Sequence, residues 1–302
     1  MSGRQATRLW LISVTVPAAA TDAYAAALET VCASVGLFEA DATGTHWRVE
    51  GICRAVPDRA ALDAGLALAA LVSGVLATPE HDTVPAEGWL ARTASAFPAQ
   101  TIGRRFVLRG THLPRGPVPG RQVLTLDAGV AFGSGEHGST RGCLIALETV
   151  ARRHRPRRLL DLGTGSGVLA LAAAKLLRVP VLATDIDPWA VRTARANARR
   201  NGAGNTVRCL RADGWTSPAI RKAAPYHLVF ANILAAPLCA MAADLARNLA
   251  PGGIAIVAGL LASQARRVLA AHQRVGLRLE RRLDQGSWTT LVLRKGGIAH
   301  AA

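Results

Sequence analysis

Two aspartates flanking a glycine turn are the residues of this chain best placed to do chemistry. Asp161 stands two residues before the first glycine in Leu160-Asp161-Leu162-Gly163-Thr164-Gly165-Ser166-Gly167, and Asp185 ends the next apolar run. Glycines let the main chain approach a ligand closely. A carboxylate at the tip of the following strand can accept hydrogen bonds from the two hydroxyls of a ribose. The pattern describes a nucleotide pocket. It departs from the dinucleotide fingerprint, because the third glycine comes one position early and Val168 stands where GxGxxG wants glycine. An acid at the mouth of the turn repels a pyrophosphate and suits an ammonium. S-adenosylmethionine has an α-amino group, a sulfonium and no phosphate, so Asp161, Gly163, Gly165, Gly167 and Asp185 point to that cofactor rather than to NAD.

Three further places carry polar groups where such a pocket would need them. Asp213 follows the third strand of the series, where it could accept from the adenine amino group or cap the next helix. Asn232, in Asn232-Ile233-Leu234-Ala235, follows the fourth strand beside the site of transfer. Ligands bind at the carboxyl ends of strands in parallel sheets, which favours a functional Asn232 over a helix cap. Its side-chain or main-chain carbonyl is the expected acceptor for a substrate amine, making it the catalytic candidate. The stretch from Phe132 to Thr140 contains Gly133, Gly135, Gly138 and His137 and suits a flap over the cofactor, although His137 also reads as an ordinary loop histidine. No cluster has metal-ligand spacing, so no metal is expected. The five cysteines are scattered without a CxxC pair and read as free thiols in a reducing cytosol.

The elements that must position these groups are legible from periodicity. Strand, helix, two strands, helix and a last strand near 75–78 give the ferredoxin-like β-α-β-β-α-β order over residues 1–85. A connecting helix is expected over 86–98, then short strands at 105–109 and 123–126. From there strands near 158–162, 179–184, 206–210, 226–231 and 253–258 alternate with helices near 167–177, 187–201, 216–223 and 235–249. That alternation implies a mostly parallel sheet covered on both faces, an α/β domain over 99–302. A helix near 261–275 and a hairpin around Asp284-Gln285-Gly286 close it, and an antiparallel terminal hairpin fits a methyltransferase sheet better than a dehydrogenase sheet.

At 302 residues, half of them hydrophobic, the chain can build a substantial core in two domains. Its net charge of +16 suggests a nucleic-acid or ribosomal partner. Only Lys175, Lys222 and Lys295 are lysines, however, so arginine-rich compositional bias is the competing explanation. The amino terminus mimics a secretory signal, but its period-two pattern over Leu9 to Val16 reads as a strand. The longest uncharged apolar stretch falls short of the roughly 20 residues a membrane span requires. A cytoplasmic protein without membrane contact is expected.

The run Asp127 to Thr140 (Asp-Ala-Gly-Val-Ala-Phe-Gly-Ser-Gly-Glu-His-Gly-Ser-Thr), the glycine turn, Asp185-Ile186-Asp187-Pro188 and Asn232-Ile233-Leu234-Ala235 together resemble the bacterial methyltransferases of ribosomal protein L-eleven. Pro251-Gly252-Gly253, Ala258-Gly259-Leu260-Leu261 and Trp89 with Phe97-Pro98 are similar to that family too, and the likeness weakens over 1–85. The resemblance implies a class I Rossmann-like fold with a small N-terminal substrate-recognition domain and a hinged linker. It implies S-adenosylmethionine-dependent methylation of lysine side chains and the N-terminal α-amine of that ribosomal protein, by a monomer. By position the family's cofactor contacts fall on Thr140, Gly163, Asp185 and Asn232. Glu136 departs from the family, which often has a small polar residue there. Rival readings are a methyltransferase of another protein or of RNA, and a non-catalytic ribosome-associated module; sparse aromatic residues argue against a reader of single-stranded RNA.

Overall fold

A computed structural model describes residues 8–32, 34–41, 45–53, 55–85, 99–114, 116–126 and 138–296. Contacts divide the chain into two units, Met1–Thr93 and Ala94–Ala302.

The first unit runs β1 (Arg8–Pro17), α1 (Thr21–Glu29), β2 (Ser34–Glu39), β3 (His46–Cys53), α2 (Arg59–Ser73) and β4 (Glu80–Pro85). Its sheet has the order β2-β3-β1-β4 with every neighbouring pair antiparallel, the ferredoxin-like connectivity. Ile12, Val14 and Val16 alternate along β1 as buried residues, and Tyr24, Leu28, Trp47, Val49 and Leu62 are buried from the other elements. The Asp58 carboxylate accepts from the Ala60 and Ala61 amides to start α2, and Gly74 ends it at φ 70.

The fourth strand is not at 75–78. The Tyr24 hydroxyl donates to the Val75 carbonyl and accepts from the Ala77 amide, so that stretch spends its main-chain groups on a tyrosine instead of a ladder. The true strand is polar, Glu-His-Asp-Thr-Val-Pro, and pairs with β1 at the edge of the sheet. An edge strand open to water leaves no apolar period to read.

The second unit begins with a three-stranded sheet, β5 (Gln100–Ile102), β6 (Phe106–Gly110) and β7 (Gln122–Leu126). Then follow α3 (Gly138–Arg153), β8 (Leu159–Leu162), α4 (Val168–Leu177), β9 (Val181–Asp185), α5 (Pro188–Arg200), β10 (Val207–Arg211), α6 (Pro218–Ala223) and β11 (Tyr226–Asn232). The chain closes with α7 (Ala235–Ala240), α8 (Ala242–Asn248), β12 (Leu249–Leu261), α9 (Ala265–Arg274), β13 (Leu277–Gln285) and β14 (Trp288–Lys295). The helix expected over 235–249 is therefore two helices meeting at Met241. The connecting helix expected over 86–98 lies outside the described residues.

Seven strands form the main sheet in the order β10-β9-β8-β11-β12-β14-β13. The first five are parallel and the last two antiparallel. Alternate residues feed two cores, one on each face: Leu228 and Phe230 join the cluster with Leu144, Leu171 and Val191, while Val229 and Ala231 join Trp215, Leu245 and Val268. Burial on both faces is why these strands read as unbroken apolar runs. The reversal of crossover direction puts β8 between β9 and β11, which makes the carboxyl ends of those three strands the switch point at which sheets of this kind bind ligands.

Candidate active site

The strand register gathers the acids and the glycine turn. Leu162 pairs with Thr184 on one side and with Ala231 on the other, so Gly163, Asp185 and Asn232 leave adjacent strands at the same end of the sheet. Each glycine of the turn has positive φ: 70 at Gly163, 54 at Gly165 and 84 at Gly167. A Cβ on Gly163 would lie 2.3 Å from Ile233 Cγ2, so the turn and the start of the Asn232 loop are in close approach. Gly167 is explained by packing, since its Cβ would sit 3.0 Å from Ala194 Cβ on α5. The Asn197 side chain, also from α5, donates to the Ser166 carbonyl at 2.9 Å and pins the loop.

Asp161 is 1% exposed. Its Oδ2 accepts from the Thr164 hydroxyl at 2.5 Å and from the Ala170 amide at 3.1 Å. Its Oδ1 is buried with no partner among the described residues. Burial pushes the carboxyl up to about 6, against the pull of those two hydrogen bonds. An orphaned carboxylate oxygen in a closed polar site is costly unless a donor fills it, and an ammonium is the donor that offsets most.

Asp185 is held by both neighbours. Its Oδ2 accepts from the Gly165 amide at 2.8 Å and its Oδ1 from the Asp187 amide at 3.0 Å. Each oxygen keeps lone-pair capacity for a hydroxyl. Burial raises this carboxyl to about 6 as well, opposed by the amides of Gly165 and Ile186. Ile186 beside it is an exposed apolar side chain at 56%, able to cover one face of a flat base at the rim. Asp213 lies two residues past β10 and is exposed; it stands at the N-cap of the short helix Gly214–Thr216, but its carboxylate makes no cap bond there. The Ala212 amide donates to the Asp185 carbonyl at 2.9 Å and ties the two acids' loops together.

Asn232 ends β11 without capping a helix, because Leu234 is the residue before α7. Its Nδ2 lies 3.5 Å from Thr140 Oγ1, the outer limit of a hydrogen bond, and its Oδ1 is buried and unpartnered. Thr140 is fully buried in the first turn of α3. Gly138 and Gly142, one helical turn apart, seat that helix against the terminal hairpin: a Cβ on the first would meet the Gln285 carbonyl at 2.6 Å, and on the second Thr290 Oγ1 at 2.2 Å. Of the flap residues, Phe132, Gly133 and His137 lie outside the described residues, as does Glu136.

Thr140, Asp161, Gly163, Gly165, Asp185 and Asn232 thus converge, with Asp213 at the rim. Sequence reasoning passed over Thr164, which fixes Asp161, and Ile233 and Gly259, which meet behind Asn232. Gly259 has φ 82, and its Cβ would lie 2.4 Å from the Ile233 carbonyl oxygen. The unfilled oxygens, the two acids and the turn without side chains fit S-adenosylmethionine.

Comparison with known proteins decides the family. The family described as ribosomal protein L11 methyltransferase (PrmA) matches residues 10–296. The chain belongs to that family. The family's cofactor is S-adenosylmethionine, as the pocket chemistry requires. Curated relatives include the ribosomal protein L11 methyltransferase of Rhizobium meliloti, 47% identical over 71% of this chain and 73% of that protein. That of Allorhizobium ampelinum is 45% identical over 71% and 73%. Among solved structures, a ribosomal protein L11 methylase from Lactobacillus delbrueckii subsp. bulgaricus is 28% identical with a TM-score of 0.59, covering 65% of this chain and 98% of that one. Among the described residues no helix is long and apolar enough to cross a membrane, and no His, Cys, Asp and Glu group could hold a metal.

Proposed function

We propose that the protein methylates ribosomal protein L11 on lysine side chains and on the N-terminal α-amine, acting as a monomer in the cytoplasm. The reading rests most directly on the unpartnered Asn232 Oδ1, an acceptor held at the carboxyl end of the sheet where an amine must be aimed. Residues 1–85 recognise the substrate, 86–98 link the domains and 99–302 carry the transfer. Phe132, Gly133 and His137 form the flap over the cofactor.

S-adenosylmethionine supplies a methyl group already activated by its sulfonium. The chain's task is to align a neutral amine with it. A lysine of pKa about 10.4 is almost fully protonated at pH 7, a handicap of roughly 4.6 kcal/mol. Desolvation and a nearby positive charge both disfavour the ammonium, so no strong base is required. Asn232 Oδ1 would accept a hydrogen bond from an N–H of the neutral amine, leaving the nitrogen lone pair to face the methyl group. Thr140 holds the Asn232 amide in that orientation. Asp161 Oδ1 receives the α-ammonium of the cofactor, Asp185 the ribose hydroxyls and Asp213 the adenine amino group.

RNA is the second acceptor class, favoured by the +16 net charge. Incubation with labelled S-adenosylmethionine and purified ribosomal proteins and RNA, followed by mass spectrometry, separates them. Label in L11 amines supports the proposal; label in RNA alone, or in no component, overturns it.

A further inference from the structure

The end of the sheet opposite the cofactor carries a concentration of arginines. Residues 195–208 contain four arginines and no acid, and residues 151–160 contain five more, again with no acid. The topology brings these runs together. Leu159 pairs with Val181 and Val181 with Val207, so β8, β9 and β10 start side by side. Arg155, Arg158, Arg178 and Arg208 sit at or just before those starts, and all are exposed. Between α5 and the edge strand β10 lies an open groove of about 500 Å³ whose lining includes Arg195, Arg199, Arg208 and Asn205. The Arg195 guanidinium donates to the Cys209 carbonyl at 3.0 Å, which holds it along the strand edge.

An arginine-rich composition alone predicts arginines paired with whatever acids are near. Arg282 with Asp284, Arg294 with Glu280 and Arg247 with Asp244 are such pairs in this unit. Among the described residues, Arg195, Arg199 and Arg208 have no carboxylate within ion-pair distance. Clustered like charges repel, and a polyanion relieves the repulsion. Guanidinium forks match phosphate oxygens two at a time.

We propose that this end of the methyltransferase unit, centred on the groove between α5 and β10, docks on the phosphodiester backbone of RNA. Strands of four or five residues separate it by roughly 15 Å from the cofactor end, so the two ligands do not compete. The residues lining the groove include no aromatic ring on which a base could stack. Binding is therefore to the backbone of duplex RNA and indifferent to base sequence. An acidic peptide adding to the edge strand is disfavoured, because Arg195 already occupies a main-chain acceptor of that strand. The proposal goes beyond the methyl-transfer reading and does not rest on it.

Fluorescence anisotropy of the full chain with a labelled short RNA duplex, over a series of salt concentrations, tests it. The Arg195→Gln/Arg199→Gln/Arg208→Gln variant should bind at least about tenfold more weakly, with a salt slope shallower by about 3. It should keep its melting temperature and its affinity for S-adenosylmethionine. A matched Arg266→Gln/Arg274→Gln/Arg278→Gln variant removes three exposed arginines elsewhere and should bind RNA as the parent does. If the groove variant fails to fold, Arg208→Glu alone carries the same expectation of weakened RNA binding. Equal losses in the two triple variants, no binding by the parent, or displacement of RNA by polyglutamate as readily as by unlabelled duplex would overturn the proposal. Methylation assays on the same samples report separately, since loss of methyl transfer leaves the RNA measurement intact.

Discussion

The Gly165 amide donates to Asp185 Oδ2 at 2.8 Å, so the acid at the tip of β9 is aimed by the glycine turn that follows β8. The two halves of the nucleotide pocket are one hydrogen-bonded unit. Replacing Asp185 with Ala removes both the ribose acceptor and the tether on the turn. We expect S-adenosylmethionine affinity in titration calorimetry to fall by about tenfold or more, as for loss of a charged hydrogen-bond acceptor. Unchanged affinity would remove the ribose assignment.

Asp161→Asn separates ligand binding from folding. The parent buries a carboxylate with one oxygen unfilled, so the neutral amide lowers the desolvation cost while losing the partner for an ammonium. Melting temperature should hold or rise in the absence of cofactor, and cofactor affinity should fall. A variant that melts lower and still binds normally would contradict the role given to Oδ1.

Both acids set a pH dependence of definite sign. Their carboxyls are raised from 3.8 to about 6 in the folded chain, so the native state holds protons more tightly than the unfolded one. Stability without cofactor should therefore fall as pH rises from about 4 through about 6. Cofactor affinity should move the opposite way, growing through the same window as Asp161 ionises to meet the ammonium. Thermal melts with and without S-adenosylmethionine between pH 4.5 and 8 read both at once; a cofactor-induced shift independent of pH would refute the pairing.

Gly259 and Gly202 both have positive φ, 82 and 70, but differ in surroundings. Alanine at Gly202 meets nothing within 4 Å and should cost only the backbone term, about 1 kcal/mol. Alanine at Gly259 would press on the Ile233 main chain behind Asn232, adding about 1–3 kcal/mol and disturbing turnover. Urea denaturation of the two variants checks the difference, and equal losses would show that Ile233 yields freely.

The sheet was legible wherever strands are buried on both faces and end in a marked turn. The run into Gly163 and the run into Asn232 are of this kind, and both lie where periodicity puts them. Parts that depend on partners distant in the chain were not legible. β5 has three residues, Gln100–Ile102, too few for a period, and exists because β6 pairs with it. The break at Met241 between α7 and α8 has no glycine to announce it. Thr164 looked like filler in the turn, because its role depends on which way Asp161 points. The contact of Ile233 with Gly163 spans seventy positions and follows only from the β8–β11 pairing.

The account turns on Asn232 aiming an amine rather than holding the cofactor. Steady-state kinetics of Asn232→Ala, paired with calorimetric measurement of S-adenosylmethionine binding, tests that most directly. A fall in kcat of about a hundredfold or more, the scale of a lost transition-state hydrogen bond, with cofactor Kd changed by no more than about threefold, is the predicted result. Normal turnover, or a loss carried wholly by cofactor affinity, would contradict it.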